Sequence, residues 1–207
     1  MRTSDRDRRG SRILALCVAL ILLAAFFYPA SALDADYYVA ENGSLFHAEV
    51  AIQGAEAYEF TEPGYLGEKV SVDVTNISLS GESGEDAGFE EGWHSISFEK
   101  GNYTVGYDQA FSNNDFNVLM DSSYNITLYL PDKYSVSNPL LGMVSTGGSV
   151  NKSGNFTEIS WKMKKYAEAR FYDDFQEKML FAFGSFWLAL VLIFLIPYLQ
   201  SRRKKDQ

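Results

Sequence analysis

The sequence predicts a mainly β protein: an antiparallel β-sandwich carried between an N-terminal apolar segment and one C-terminal membrane-spanning helix. Three observations predict it. Several short stretches alternate apolar and polar residues with a period of two, which leaves one face for a core and one for water. A 21-residue run, Met179 to Leu199, holds no charged residue and ends at four consecutive basic residues. A first apolar run, Ile13 to Tyr28, follows an Arg-rich start and leads into a small-x-small sequence, Ala30-Ser31-Ala32.

The N-terminal segment has the layout of a secretory signal: a basic region with Arg2, Arg6, Arg8, Arg9 and Arg12, an apolar stretch, and small residues at the cut. Cleavage after Ala32 leaves Leu33 as the new N-terminus. The rival reading is an uncleaved signal anchor, since the run with its flanks reaches about 20 residues. Cys17 is the single cysteine and lies in this run. An intrachain disulfide and a cysteine-based metal site are therefore excluded, and a cysteine nucleophile is excluded from the rest of the chain.

The strands follow in order. Phe46, Ala48, Val50 and Ile52 alternate with His47, Glu49, Ala51 and Gln53. Val70, Val72 and Val74 predict a second one-sided strand, and Tyr103, Val105 and Tyr107 a third. Tyr124, Ile126, Leu128 and Leu130 form a fourth, and Ile159, Trp161 and Met163 a fifth. Ala167, Ala169 and Phe171 share one side of a sixth. Between Pro131-Asp132 and Asn138-Pro139, the residues KYSVS predict a short strand, with Leu140 and Leu141 behind it as either an exposed apolar pair or a core-capping loop, the latter favoured. Turn-rich pieces such as SGESGEDAGFEEG and STGGSVNKSGN separate these segments, the first expected to be a mobile, solvated loop. Six or more one-sided strands point to a sandwich, immunoglobulin-like or similar.

The final run spans about 31 Å at about 1.5 Å per residue, which matches a hydrocarbon core. Acidic YDDFQE precedes it, and Arg202, Arg203, Lys204 and Lys205 follow it. Basic residues stay on the cytoplasmic side, so the C-terminus faces the cytoplasm and the β domain lies outside. The organisation expected is a signal or signal anchor at 1–32, an extracytoplasmic domain at 33–177, a membrane helix at 178–200 and a cytoplasmic tail at 201–207. Ser185 and Ala189 form a small-xxx-small pair, with Ala182 and Gly184 nearby, which would let another helix approach.

Charge supports this layout. The chain carries a net charge of −9, yet between Leu33 and Glu177 there are 24 acidic residues against 8 basic ones. An acidic domain with basic ends argues against nucleic acid as a partner. Six N-x-[ST] tripeptides begin at Asn42, Asn76, Asn102, Asn125, Asn151 and Asn155. Chance placement of the ten Asn and 22 Ser or Thr of this region predicts about 1.5 such tripeptides, so all six are candidate N-glycosylation sites. Asn102 and Asn125 fall on the polar faces of their strands. Asn76 continues the apolar parity of Val70, Val72 and Val74 and needs a bulge or strand end to reach water.

No catalytic motif stands out. His47 and His94 lie far apart, and no nucleophile elbow, paired-histidine zinc motif or phosphate-binding loop is present. Glu82, Glu85, Asp86, Glu90 and Glu91 are oxygen-rich but lack the ligand spacing of a calcium loop. No catalytic residue, metal ligand or cofactor is assigned.

The stretches YNITLYLPDKYSVSNPLLGMVSTGG and ISWKMKKYAEARFYDDFQEKML carry a resemblance to uncharacterised archaeal membrane-anchored surface proteins, over roughly the second half of the chain. That resemblance implies location and architecture and no activity. The expected function is a single-pass, non-enzymatic surface protein whose partners are the lipid bilayer and a protein, glycan or envelope ligand. Two alternatives are an accessory subunit of a membrane complex, and an extracytoplasmic hydrolase whose carboxylates converge only in three dimensions.

Overall fold

The computed structural model describes residues 32–111 and 113–203, with side chains as far as Tyr198. The signal segment with Cys17, and Lys204 and Lys205 of the tail, lie outside the described residues, as do the side chains of Arg202 and Arg203.

The chain is mainly β with one long C-terminal helix. Thirteen strands are described: β1 (Leu33–Val39), β2 (Leu45–Glu59), β3 (Thr61–Pro63), β4 (Lys69–Ser71), β5 (Val74–Gly81), β6 (Glu90–Gly92), β7 (Ser95–Ala110), β8 (Asp115–Pro131), β9 (Tyr134–Ser135), β10 (Met143–Val144), β11 (Gly148–Ser153), β12 (Phe156–Arg170) and β13 (Tyr172–Asp173). Helix α1 spans Asp174–Arg203. Nine strands share one sheet in the order β10-β12-β8-β1-β2-β7-β5, with β11 on β12 and β6 on β7. β3–β4 and β9–β13 form two-stranded pairs.

The sheet is mixed, which corrects the wholly antiparallel expectation. β1 runs antiparallel to β2 but parallel to β8, with Leu33 opposite Tyr124 and Tyr37 opposite Leu128. Side-chain periodicity reports which face a residue takes and not which strand it meets, so this pairing has no local signature.

β2, β7, β8 and β12 are each 15 to 17 residues long, about three times the usual strand, and the sheet folds over on itself along a crease. The crease is built from bulges. In β2 the register against β7 slips between Ile52 and Ala55, around Gly54 with φ +62°. In β12 the register against β8 slips between Trp161 and Lys164, around Met163 with φ +53°. Bulges bend a strand and increase its twist. The two halves of each long strand then face one another. Phe116, early in β8, lies 5.0 Å ring to ring from Tyr37 of β1 and 6.5 Å from Trp161 of β12. Phe60 lies 5.0 Å from Tyr107 of β7.

The core is what the alternation predicts, with exceptions at the crease. Phe46, Ala48, Val50, Ile52, Val105, Tyr107, Tyr124, Ile126, Leu128, Leu130, Ile159, Trp161, Ala167, Ala169 and Phe171 are all buried. Met163 is 59% exposed because it sits in the bulge itself, at φ +53°, while Trp161 before it and Ala167 after it, of the same parity, stay buried. Val70 belongs to the short β4 and is 42% exposed, while Val74 starts a separate strand, so 70–75 is not one strand. KYSVS does contain a strand, β9. Leu140 is 79% exposed and does not cap the core. The acidic SGESGEDAGFEEG stretch is tied down: the Gly81 and Ala87 N–H groups donate to Glu85 and Leu79, Ser80 bridges Asp86, and Phe89 packs on the core.

The end of the domain opposite the crease carries α1. β9 and β13 pair there, the Phe171 N–H donates to the Asn114 carbonyl, and the Asn114 amide donates to Gln176 Oε1 at 3.3 Å. Asp173 and Gln176 cap the helix reciprocally, with Gln176 N–H donating to Asp173 Oδ1 at 2.8 Å and Asp173 N–H donating to Gln176 Oε1 at 3.0 Å. Asp174 and Glu177 in the first turn oppose the positive helix terminus favourably.

Candidate functional site

Helix α1 is the clearest functional element. Residues Asp174–Tyr198 have a mean hydropathy of 2.6 over their most apolar window, and none of that window is buried by the protein. Phe181, Phe183, Phe186, Trp187, Leu188, Ile193 and Phe194 are each more than half exposed. An apolar helix without a polar stripe has no face suited to water, and its length and composition are compatible with a membrane span. Pro197 sits near the C-terminal end, where losing one backbone hydrogen bond costs the span little.

The acceptor asparagines divide into two groups. Asn42, Asn76, Asn102, Asn151 and Asn155 are exposed. Asn76 lies on a bulge where β5 slips against β7 between Thr75 and Ser78; its own φ is +53°, which turns its side chain outward despite the parity of the neighbouring valines. Asn125 sits mid-sheet on β8 and is half-buried. Its amide donates to Asp34 Oδ1 at 3.0 Å, and its carbonyl accepts from the Met163 N–H at 3.3 Å.

A polar cluster on the outer sheet face was not singled out by sequence spacing. His47 of β2 stands opposite Asp108 of β7, and its Nδ1 lies 2.6 Å from Asp108 Oδ1. The Asn76 amide donates to Asp108 Oδ2 at 2.6 Å. His47 Nε2 lies 3.9 Å from Glu49. Partial burial pushes the Asp108 carboxyl up, but the Asn76 and His47 hydrogen bonds and the His47 ring outweigh it and hold the pKa below the usual carboxylate value. Chemically this is a fixed, ionised carboxylate with an oriented imidazole. His94 has a different job: with φ +57° it turns the chain into β7, its Nδ1 lies 2.9 Å from the Val72 carbonyl, and Asp73 lies 3.2 Å away. The two histidines are not brought together, and among the described residues no group of three or more His, Cys, Asp or Glu side chains is arranged to hold a metal.

Two concavities of the β domain are candidates for ligand binding. The first, about 230 Å³, lies under the crease between Tyr37, Tyr58, Tyr107 and Tyr124, with Lys69 and Asp121 at its mouth. Burial drives the phenols of Tyr37, Tyr58 and Tyr107 well above their usual pKa, so they stay protonated as hydrogen-bonding groups. This volume falls short of the about 300–1,000 Å³ of ordinary small-molecule sites. The second is an open groove of about 830 Å³ between the β3–β4 hairpin and the β7–β8 turn, with Phe46, Tyr65, Val70 and Phe111 beside Glu62, Glu68 and Asp115. Its carboxylates are engaged: Glu62 accepts from Gln109, Glu68 from the Leu66 N–H, and Asp115 pairs with Arg170. Aromatic faces flanked by fixed acceptors suit a polar surface ligand of glycan or peptide chemistry. No protein-family model matches the chain, and no curated protein matches it either.

Proposed function

We propose that this chain is a single-pass membrane-anchored surface protein. Its creased sheet acts as a sandwich-like ectodomain that binds a protein, glycan or envelope partner without catalysing a reaction. The observation that carries the reading is the run Met179–Leu199 of α1: apolar all round, uncovered by the domain, and followed in sequence by Arg202, Arg203, Lys204 and Lys205. The acidic surface and five outward-facing acceptor asparagines support placing the β domain outside the cytoplasm. Support for binding comes from the open groove, whose acids are held by structural partners and so serve as fixed acceptors.

The test is protease treatment of intact cells with intact-mass analysis of the chain. The expected result is loss of the β domain to external protease, with added glycan mass. A domain shielded in accessible cells and carrying no added mass overturns the reading. The accessory-subunit alternative predicts a stoichiometric membrane partner after mild detergent extraction.

A further inference from the structure

We infer that the loop Asn138–Gly142 dips into the outer leaflet beside α1, so that lipid, and not a protein, covers its apolar tip. The inference rests on the reading of α1 as a membrane span. Three observations carry it. First, Pro139 and Leu140 lie against Leu180, Phe181, Gly184, Ser185 and Leu188 around an apolar cleft of about 480 Å³. These helix residues belong to the first turns of the charge-free run, so whatever solvates them also meets Leu140, which is 79% exposed.

Second, the loop's N–H groups are prepared for a medium without water, where an unpaired N–H carries a heavy desolvation penalty. Here the Asn138 N–H donates to the Tyr172 hydroxyl at 2.9 Å and the Leu140 N–H to Asn138 Oδ1 at 3.0 Å. The Leu141 and Gly142 N–H groups donate to the Asn138 carbonyl at 3.1 and 2.7 Å, and Pro139 has no N–H. The Asn138 amide donates to Glu177 Oε1 at 3.3 Å and so ties the loop to the first turn of α1.

Third, the eighteen residues from Tyr134 to Asn151 contain no charge, in a chain where 22% of residues are charged. The water-facing turns of the same domain are strongly acidic, as Glu82, Glu85 and Asp86 show. A loop meant for water next to anionic headgroups has no reason to lack charge and expose leucine.

The test uses the full chain in phosphatidylcholine–phosphatidylglycerol vesicles, with Cys17→Ser as background. Nitroxide labels are placed at Leu140→Cys, at Phe186→Cys in α1 and at Gln53→Cys on the crease. Accessibility to oxygen, which concentrates in lipid, is compared with accessibility to a water-soluble nickel chelate. The expected result is oxygen preference at Leu140 and Phe186 and nickel preference at Gln53. Nickel preference at Leu140 with oxygen preference at Phe186 overturns the inference and leaves the anchor standing. Nickel preference at Phe186 overturns both. A Leu140 label shielded from both reagents means a protein covers the loop, and overturns lipid as its occupant.

Discussion

Truncating Phe116 to alanine separates a creased sheet from a set of strands that merely lie near one another. Phe116 is fully buried, and its ring meets Tyr37 at 5.0 Å, Phe46 at 5.6 Å and Trp161 at 6.5 Å. These partners come from β1, β2 and β12, so one side chain pins the first half of β8 across the core. An aromatic side chain buries about 150–250 Å², and at about 25 cal/mol per Å² its loss removes about 4 kcal/mol, within the about 3–5 kcal/mol seen for Phe→Ala in cores. For a domain of this size each kcal/mol moves the midpoint by about 2–4 °C, so Phe116→Ala is expected to lower Tm by about 8–16 °C. The assay is thermal unfolding of the detergent-solubilised chain followed by near-UV circular dichroism. Phe156→Ala is the companion variant: Phe156 is 51% exposed, and its loss is expected to shift Tm by no more than about 2 °C. Equal small shifts for the two variants would refute the folded-over core.

Three further outcomes follow from the geometry. Asp108, with its folded-state pKa lowered, contributes stability at pH values above its unfolded pKa of about 3.9 and loses it as pH falls through the folded value. Asp108→Asn is therefore expected to lower Tm at neutral pH, with the gap from the parent closing as pH falls below about 4 in a Tm series; a gap independent of pH contradicts the assignment. Glycopeptide mapping is expected to find sugar on Asn42 and Asn155, which lie exposed in turns, and none on Asn125, which is half-buried in mid-sheet; a modified Asn125 contradicts this. Gly142→Ala places a Cβ 2.5 Å from the Val136 carbonyl oxygen, a backbone atom that must shift, at a cost of about 1–3 kcal/mol measured as a drop in Tm.

Most of the core was legible from the sequence because burial on a strand is a local matter of parity. Phe46 to Ile52 and Tyr124 to Leu130 show it, with every alternate residue buried as expected. Parity fails where the backbone adds a residue. Met163 reads as core but faces solvent, and Asn76 reads as core-facing but faces water, each at φ +53°. β1 was missed altogether, since its buried residues Ala35, Tyr37 and Val39 sit among Asp34, Asp36 and Tyr38 and make a weak pattern. The His47–Asp108–Asn76 cluster was hidden for a different reason. Its members come from three strands, and only cross-strand register brings them within 2.6 Å.

The parallel pairing of β1 with β8 sets where the chain enters the domain. Leu33 is level with Tyr124 at the crease, whereas β8 ends at Pro131 on the side where α1 leaves. The seven residues of β1 cover about 23 Å alongside β8. With β2 hydrogen-bonded along one edge and β8 along the other, β1 is an interior strand, so the first described residues cannot fray without parting the sheet between β2 and β8.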